Sequence, residues 1–433
     1  MMKKALGTYN PNTFTITLSK DYHMFDENLN VKEGVTSEIH AVFLHELWHC
    51  WINLSTLTGF RDFISYFTDI AYTSQRVRNF NVIDPLLEDD MQKMIFYRKL
   101  LNGDFNWCNT YKTPIKKIEI HDAGLTEERD NFCFNYKEVS IEFQESKLNL
   151  GNFVIDESTT KETELFICKK PYNKSEFNES YMPYNLFNEL DEYYKCSKLN
   201  IERVLIGMMA LNTLQPSKTI IRIYEKYSNE SFKNKSIDEV CSFYKRIWDN
   251  DYKSDFDKII LFSDEEMKDI IEISKDREKL TESVNYIMEI YSNMLSKRKE
   301  NIFWDIDRIL EYNNSQAIAF IPGNIEMQFN AIQEHEGDEN KILRDEVFQI
   351  TPSTQENIFE YYKILECLIH YSKSQLHETE DKKCPLYTYC NLMKRKENGY
   401  YCKNEPWKII DKKDSKNSEL CAYEYAIKAV GNQ

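Results

Sequence analysis

Residues 42–51 read Val42-Phe43-Leu44-His45-Glu46-Leu47-Trp48-His49-Cys50-Trp51. Outside the pentad His45–His49 every residue of this stretch is uncharged, in a chain that is 29% charged. Such a run, with no glycine or proline, predicts a helix buried on most of its faces. Histidines at i and i+4 lie one turn apart on one face, so both imidazoles can reach one Zn2+ at about 2.0–2.1 Å. Glu46, one residue after His45, is brought toward a water on that metal rather than toward the metal itself. There it can act as general base and later return the proton to a leaving group. A helix that holds two histidines by accident is the plainer alternative.

The surroundings extend the helix and frame it. Thr36 or Ser37 caps it, with Glu38 favourably placed in its first turn. Helical periodicity runs to about Ser55, pauses at Gly59 and resumes to about residue 78. Upstream, residues 13–19 (TFTITLS) put Phe14, Ile16 and Leu18 on one face, the pattern of a half-buried strand. Downstream, strand-like pieces occupy Ile115–Ile120 and Val139–Phe143, and a turn at Gly151 enters a second helix over about 155–168. Beyond residue 184 the apolar spacing predicts helices at 184–196, 201–213, 217–228, 236–249, 265–297 and 355–373, with 171–183 and 313–353 as connections. The predicted fold is α+β, predominantly α, with a small N-terminal sheet. Its expected organisation is a catalytic region at 1–175, a helical body at 176–380 and a cysteine-containing C-terminal segment at 381–433.

In HExxH and its flanks the chain resembles the zincin metallopeptidases. Their extended pattern has uncharged neighbours and a hydrophobic residue two places past the second histidine, where Trp51 stands. The metzincin pattern is excluded, because Ile52 and Ser55 occupy its Gly and His positions, and a GTxDxxYG run is absent. The resemblance is therefore gluzincin-like, which implies a glutamate from a second helix as third metal ligand. Gly151-Asn-Phe-Val-Ile-Asp-Glu157-Ser-Thr-Thr160-Lys-Glu-Thr-Glu164 resembles the glycine-led turn and E-x-x-A-x-x-x-E helix of such enzymes. It implies Glu157 as ligand, and Glu164 as a carboxylate orienting a ligating histidine. Thr160 replaces the usual alanine, and Glu157 lies further from His45 than in most thermolysin-like members. Glu162 reads as helix surface charge more readily than Glu157. His121 is a rival third ligand. Zincins also stabilise an oxyanion with Tyr, His or Arg; Tyr172, Tyr181, Tyr184 and His335 follow the helix, and 28 tyrosines prevent a choice by number alone.

Composition narrows the substrate. The 433 residues hold 55 Lys and Arg against 71 Asp and Glu, a net charge of −16 that disfavours nucleic acid and acidic substrates. Eleven glycines and ten prolines are under half the usual share of about 12%, which favours helices over a turn-rich β fold. No GxxxxGK[ST] or GxGxxG occurs to mark a nucleotide site. The opening residues lack an apolar leader core, and no uncharged apolar run reaches about 18 residues, which predicts a cytoplasmic protein with reduced thiols and no membrane span. Cys50 then reads as a core thiol. Cys384, Cys390, Cys402 and Cys421 crowd a polar tail, where they predict either a structural metal, zinc ahead of an iron–sulfur cluster, or packing beneath Tyr401, Trp407 and Tyr423.

Together these readings predict an intracellular zinc metallopeptidase acting on selected protein or peptide substrates, with His45, His49 and Glu157 on the metal and Glu46 as base. The alternatives are a non-proteolytic, zinc-stabilised interaction module and a hydrolytic zinc directed at a non-peptide substrate. Glu46 argues against the module, since a purely structural site needs no carboxylate beside an open coordination position.

Overall fold

The computed structural model describes residues 7–11, 15–18, 35–66, 96–106, 111, 114–129, 132–168, 182–274, 278–309, 327–332 and 346–352, and parts of 367–423. Helix α1 (Ser37–Ser55) begins where the Thr36 hydroxyl accepts the Ile39 N–H at 3.4 Å. Every residue from Ala41 to Ile52 is buried, as the uncharged run predicts. The helix ends at Thr56, whose hydroxyl donates to the Ile52 carbonyl at 2.7 Å, three residues before the expected pause at Gly59. Helix α2, described over 57–66, follows at once, and α3 is described over 96–102.

Two small sheets flank this helix. Strands β1 (Gly7–Asn10) and β2 (Thr15–Leu18) pack on α1, with Ile16 and Leu18 fully buried. Their antiparallel sheet is completed from far along the chain by β6 (Met327–Ile332) and β7 (Glu346–Pro352), in the order β1-β2-β7-β6. The stretch 313–353, expected to be a connection, therefore contains two strands, and the pairing of Ile16 with Phe348 ties it to the N-terminal region. The second sheet is β3 (Lys117–Arg129), β4 (Phe132–Glu142) and β5 (Lys147–Asn149), in that order. Its hairpin runs beyond the two predicted pieces because backbone pairing continues past a bulge between Asp122 and Thr126, where no apolar alternation marks it.

β5 delivers the chain through Gly151 into α4 (Asn152–Cys168). A Cβ on Gly151 would lie 2.1 Å from the Asn102 carbonyl carbon, so only glycine fits that turn. A body of helices follows: α5 (Leu186–Tyr193), α6 (Asn200–Leu211), α7 (Pro216–Tyr227), α8 (Ile237–Asp251), α9 (Lys253–Ser274), α10 (Glu278–Glu300) and α11 (Trp304–Ile309). The apolar spacing over 265–297 thus belongs to parts of two helices rather than one. The predicted helix at 355–373 lies mostly outside the described residues. Among the described residues no helix is long and apolar enough to cross a membrane.

Two buried polar clusters hold α1 and α4. The fully buried Arg298 of α10 donates to the Ser55 carbonyl at 3.1 Å, closing the C-terminal end of α1, and to Asp305 Oδ1 at 2.6 Å. Trp51, one turn before Ser55, donates its indole N–H to the other Asp305 oxygen at 2.7 Å. On α4, Glu162 is buried rather than at the surface, because Arg203 of α6 pairs with it at 2.8 Å and Asn200 donates to it. Arg203 also pairs with Asp191 of α5 at 2.7 Å.

Replacing Arg298 with Met leaves the buried Asp305 carboxylate without its ion-pair partner, which destabilises the fold by about 3–5 kcal/mol. Urea unfolding followed by circular dichroism measures this directly; a loss under about 1 kcal/mol removes the pair from the account of how α1 is held.

Candidate metal centre

α1 and α4 pack against each other, and His45 and His49 meet Asp156, Glu157 and Glu164 across the contact. His45 and His49 of α1 bring their Nε2 atoms to 3.1 Å from each other. Each Nε2 lies 3.4 Å from Oε2 of Glu157 on α4. The Nδ1 atoms are already committed. His45 Nδ1–H donates to Glu164 Oε2 at 3.2 Å, and His49 Nδ1–H donates to Asp156 Oδ1 at 3.0 Å. With a metal bound, those bonds would keep the protons on Nδ1, so that both Nε2 atoms are turned toward each other and toward a carboxylate oxygen.

Three electron-rich atoms pointed at one place repel unless something positive lies between them. Glu157 Oε2 is buried and makes no hydrogen bond of normal geometry, although both imidazoles are near. A cation with tetrahedral bonds of about 2.0–2.1 Å has ligand atoms about 3.3 Å apart. The observed separations of 3.1 and 3.4 Å match that edge, so His45, His49 and Glu157 could hold a metal ion. Among the described residues they are the one trio of His, Cys, Asp or Glu gathered closely enough to do so.

Charge in the site reads the same way. Burial lowers the His45 pKa, but the carboxylates of Glu157 and Glu164 outweigh it and raise the pKa to about 9. Burial likewise opposes the rise at His49, where Asp156 and Glu157 push the pKa well above its usual value. Glu157 is held below the ordinary carboxylate range, because the two imidazoles outweigh the burial that would raise it. Without a metal, the carboxylate cage thus retains protons on the ligands.

Around this core stand residues of unequal legibility. Glu164 lies behind His45, the place the sequence resemblance implies, and also accepts from Lys161 at 3.3 Å. Asp156 plays the matching part behind His49 and was not anticipated; its only sequence signal is its position next to Glu157. Thr160, in place of alanine, donates to Asp156 Oδ1 at 3.2 Å, so the substitution adds a polar contact. Tyr184, one of three tyrosines left open, sets its ring edge-on to His45 with centroids 5.8 Å apart. Its hydroxyl hydrogen-bonds Glu157, and burial together with the charges of Glu157, Glu46 and Glu164 keeps it protonated. Tyr172, Tyr181 and His335 lie outside the described residues.

Glu46 is 7% exposed and sits on the α1 stripe next to the histidines. Burial pushes its pKa up to about 7, with Glu157 and Glu164 adding to the rise and the two imidazoles opposing it. His121 is exposed on β3 beside Glu119, among partners remote from this trio. Cys50 is a fully buried thiol, as expected of a core residue. In the tail, the Cys384 N–H donates to the Cys402 carbonyl at 2.8 Å, with Cys384 buried and Cys402 half-buried. Cys390 and Cys421 lie outside the described residues. Comparisons with protein-family models, curated proteins and solved structures find no match to this chain.

Metal uptake must displace the protons these carboxylates hold on the imidazoles. Titration calorimetry with Zn2+ in buffers of different ionisation enthalpy is expected to show proton release at pH 7, and affinity that rises as pH approaches 9. Asp156→Asn is expected to weaken binding by about 10–100-fold. Proton-neutral binding, or an Asp156→Asn affinity equal to wild type, contradicts this account.

Proposed function

We propose that the chain is a cytoplasmic zinc metallopeptidase of gluzincin-like type, acting on selected protein or peptide substrates. The observation that carries the proposal is the convergence of His45 Nε2, His49 Nε2 and Glu157 Oε2 beside a buried glutamate on the next helix position. Two imidazoles and one carboxylate are a donor set that would suit Zn2+, with His45, His49 and Glu157 holding it. When bound, the metal supplies Lewis acidity and lowers the pKa of a coordinated water to about 7.

The chain's own groups supply the remainder. Glu46 takes the proton of the attacking water and hands it to the leaving amine. Glu164 and Asp156 orient the two imidazoles and keep their Nε2 atoms directed at the site. Tyr184 keeps its proton and is the nearby donor assigned to the oxyanion that develops on the scissile carbonyl. Among the described residues β1 is the outer strand of its sheet, and an extended peptide would add beside it by backbone hydrogen bonds.

The competing interaction-module reading accounts for the histidines and Glu157 but gives Glu46 no task. Metal analysis combined with proteome-wide profiling of new protein N-termini separates the two. Wild type is expected to hold one zinc and generate new termini, and Glu46→Gln to keep the zinc while losing about 10²–10⁴-fold in rate. Tyr184→Phe is expected to lower kcat by about 10²–10³-fold with zinc retained. Full zinc content with no cleavage in any background favours the module.

A further inference from the structure

β1 does more than close the edge of a sheet, because it lies along α1. Tyr9 donates its hydroxyl to Asn53 Oδ1 at 3.2 Å and also hydrogen-bonds the Cys50 thiol. Gly7, two residues earlier and so on the same side of the strand, stands over Val42 and Glu46. Val42, Glu46, Cys50 and Asn53 form one stripe of α1, adjacent to the stripe carrying His45 and His49. The strand thus covers the base-bearing side of the helix, while α4 covers the histidine side.

At Gly7 the covering is tight. A Cβ there would lie 2.8 Å from both Cγ and Oε1 of Glu46, and 3.1 Å from Cγ1 of Val42. Carbon atoms pack at about 3.5–4.0 Å, so something must yield. Both residues are buried, but the branched Val42 side chain is stiff, whereas Glu46, approached at Cγ as well as at Oε1, can turn about its side-chain bonds and carry its carboxylate away. Gly7 is not among the glycines with positive φ, so its small size answers a need for space rather than for an unusual backbone.

We infer that Gly7 is a positioning residue for Glu46: the bare backbone of β1 sets where the carboxylate of the general base lies. The inference rests on the peptidase reading for the role of Glu46, but the contact itself does not. Adding a methyl at Gly7 displaces the carboxylate by about 1 Å, the gap between the 2.8 Å approach and an ordinary contact. A misplacement of that size in a reacting group lowers the rate by about 10²-fold. The metal ligands lie on the neighbouring stripe, so the displacement is expected to spare them.

The test uses the full chain as wild type, Gly7→Ala, Glu46→Ala and the double variant. Zinc content, thermal unfolding, kcat and KM on a peptide identified by terminus profiling, and the visible spectrum of the Co2+-loaded protein are measured for each. Gly7→Ala is expected to keep one metal and a near-wild-type midpoint, with KM within about twofold and kcat lowered about 100-fold. Its cobalt spectrum is expected to shift in the Glu46 background and not in the Glu46→Ala background, where the two closest atoms are gone and only the 3.1 Å approach to Val42 remains. A kcat within twofold of wild type, or the same spectral shift in both backgrounds, overturns the inference. If wild type cleaves nothing, a Glu46-dependent spectral shift upholds the Gly7 contact while the peptidase reading fails. If Gly7→Ala unfolds the chain, recovery of folding in the double variant supports the contact, and failure to recover sinks it.

Discussion

Three lone-pair atoms held within 3.1–3.4 Å of one another inside a packed interior are the constraint on which this protein is organised. Like electrostatic character at that spacing is unfavourable in a medium of low polarity, and only positive charge relieves it. The fold nevertheless forces the atoms together. Each imidazole is fixed from behind by a carboxylate, and α4 cannot withdraw Glu157 because Glu162, on the same helix, is tied to α6. A site built this way is ready for a cation before one arrives, since the ordering of its ligands has been achieved by folding.

The two helices that meet there are anchored at places away from the chemistry. Arg298 and Asp305 take up the exposed end of the α1 hydrogen-bond ladder and the Trp51 indole. Glu162, Arg203 and Asp191 form the corresponding cluster behind α4. Buried ion pairs of this kind add little net stability over well-packed apolar residues, yet losing one partner is severe. Their value here is geometric, because they hold α1 and α4 in one relative position. The ligand separations depend on that position to within tenths of an ångström. β1 applies the same principle on the third side, fitting bare backbone against Glu46 where a side chain has no room.

Legibility in the sequence followed the range over which each feature is determined. The burial of α1, its Thr36 cap, the shared face of His45 and His49 and the buried strand residues Ile16 and Leu18 all follow from local periodicity. Glu157 and Glu164 were reached through a resemblance of a short segment, and their positions against the histidines agree with it. Asp156 was missed because a carboxylate beside a presumed ligand has no distinctive spacing. Tyr184 could not be chosen because 28 tyrosines share its chemistry, and only its approach to His45 and Glu157 separates it from them. β7 escaped notice because its partner β2 lies more than three hundred residues earlier, a pairing that no window of sequence contains, and β6 joins the sheet only through β7.

The sequence by itself determined a helix-rich chain with few glycines and prolines, a buried helix bearing two histidines one turn apart, and a glutamate beside them. These are consequences of composition and of the 3.6-residue repeat, which act over a few neighbours. Tertiary structure alone decided that Glu157 completes the trio, that Asp156 and Glu164 divide the histidines between them, and that Gly7 lies over Glu46. Each of those facts is a distance between segments far apart in the chain. Such distances are set by how helices and strands pack, and periodicity within one segment carries no information about them.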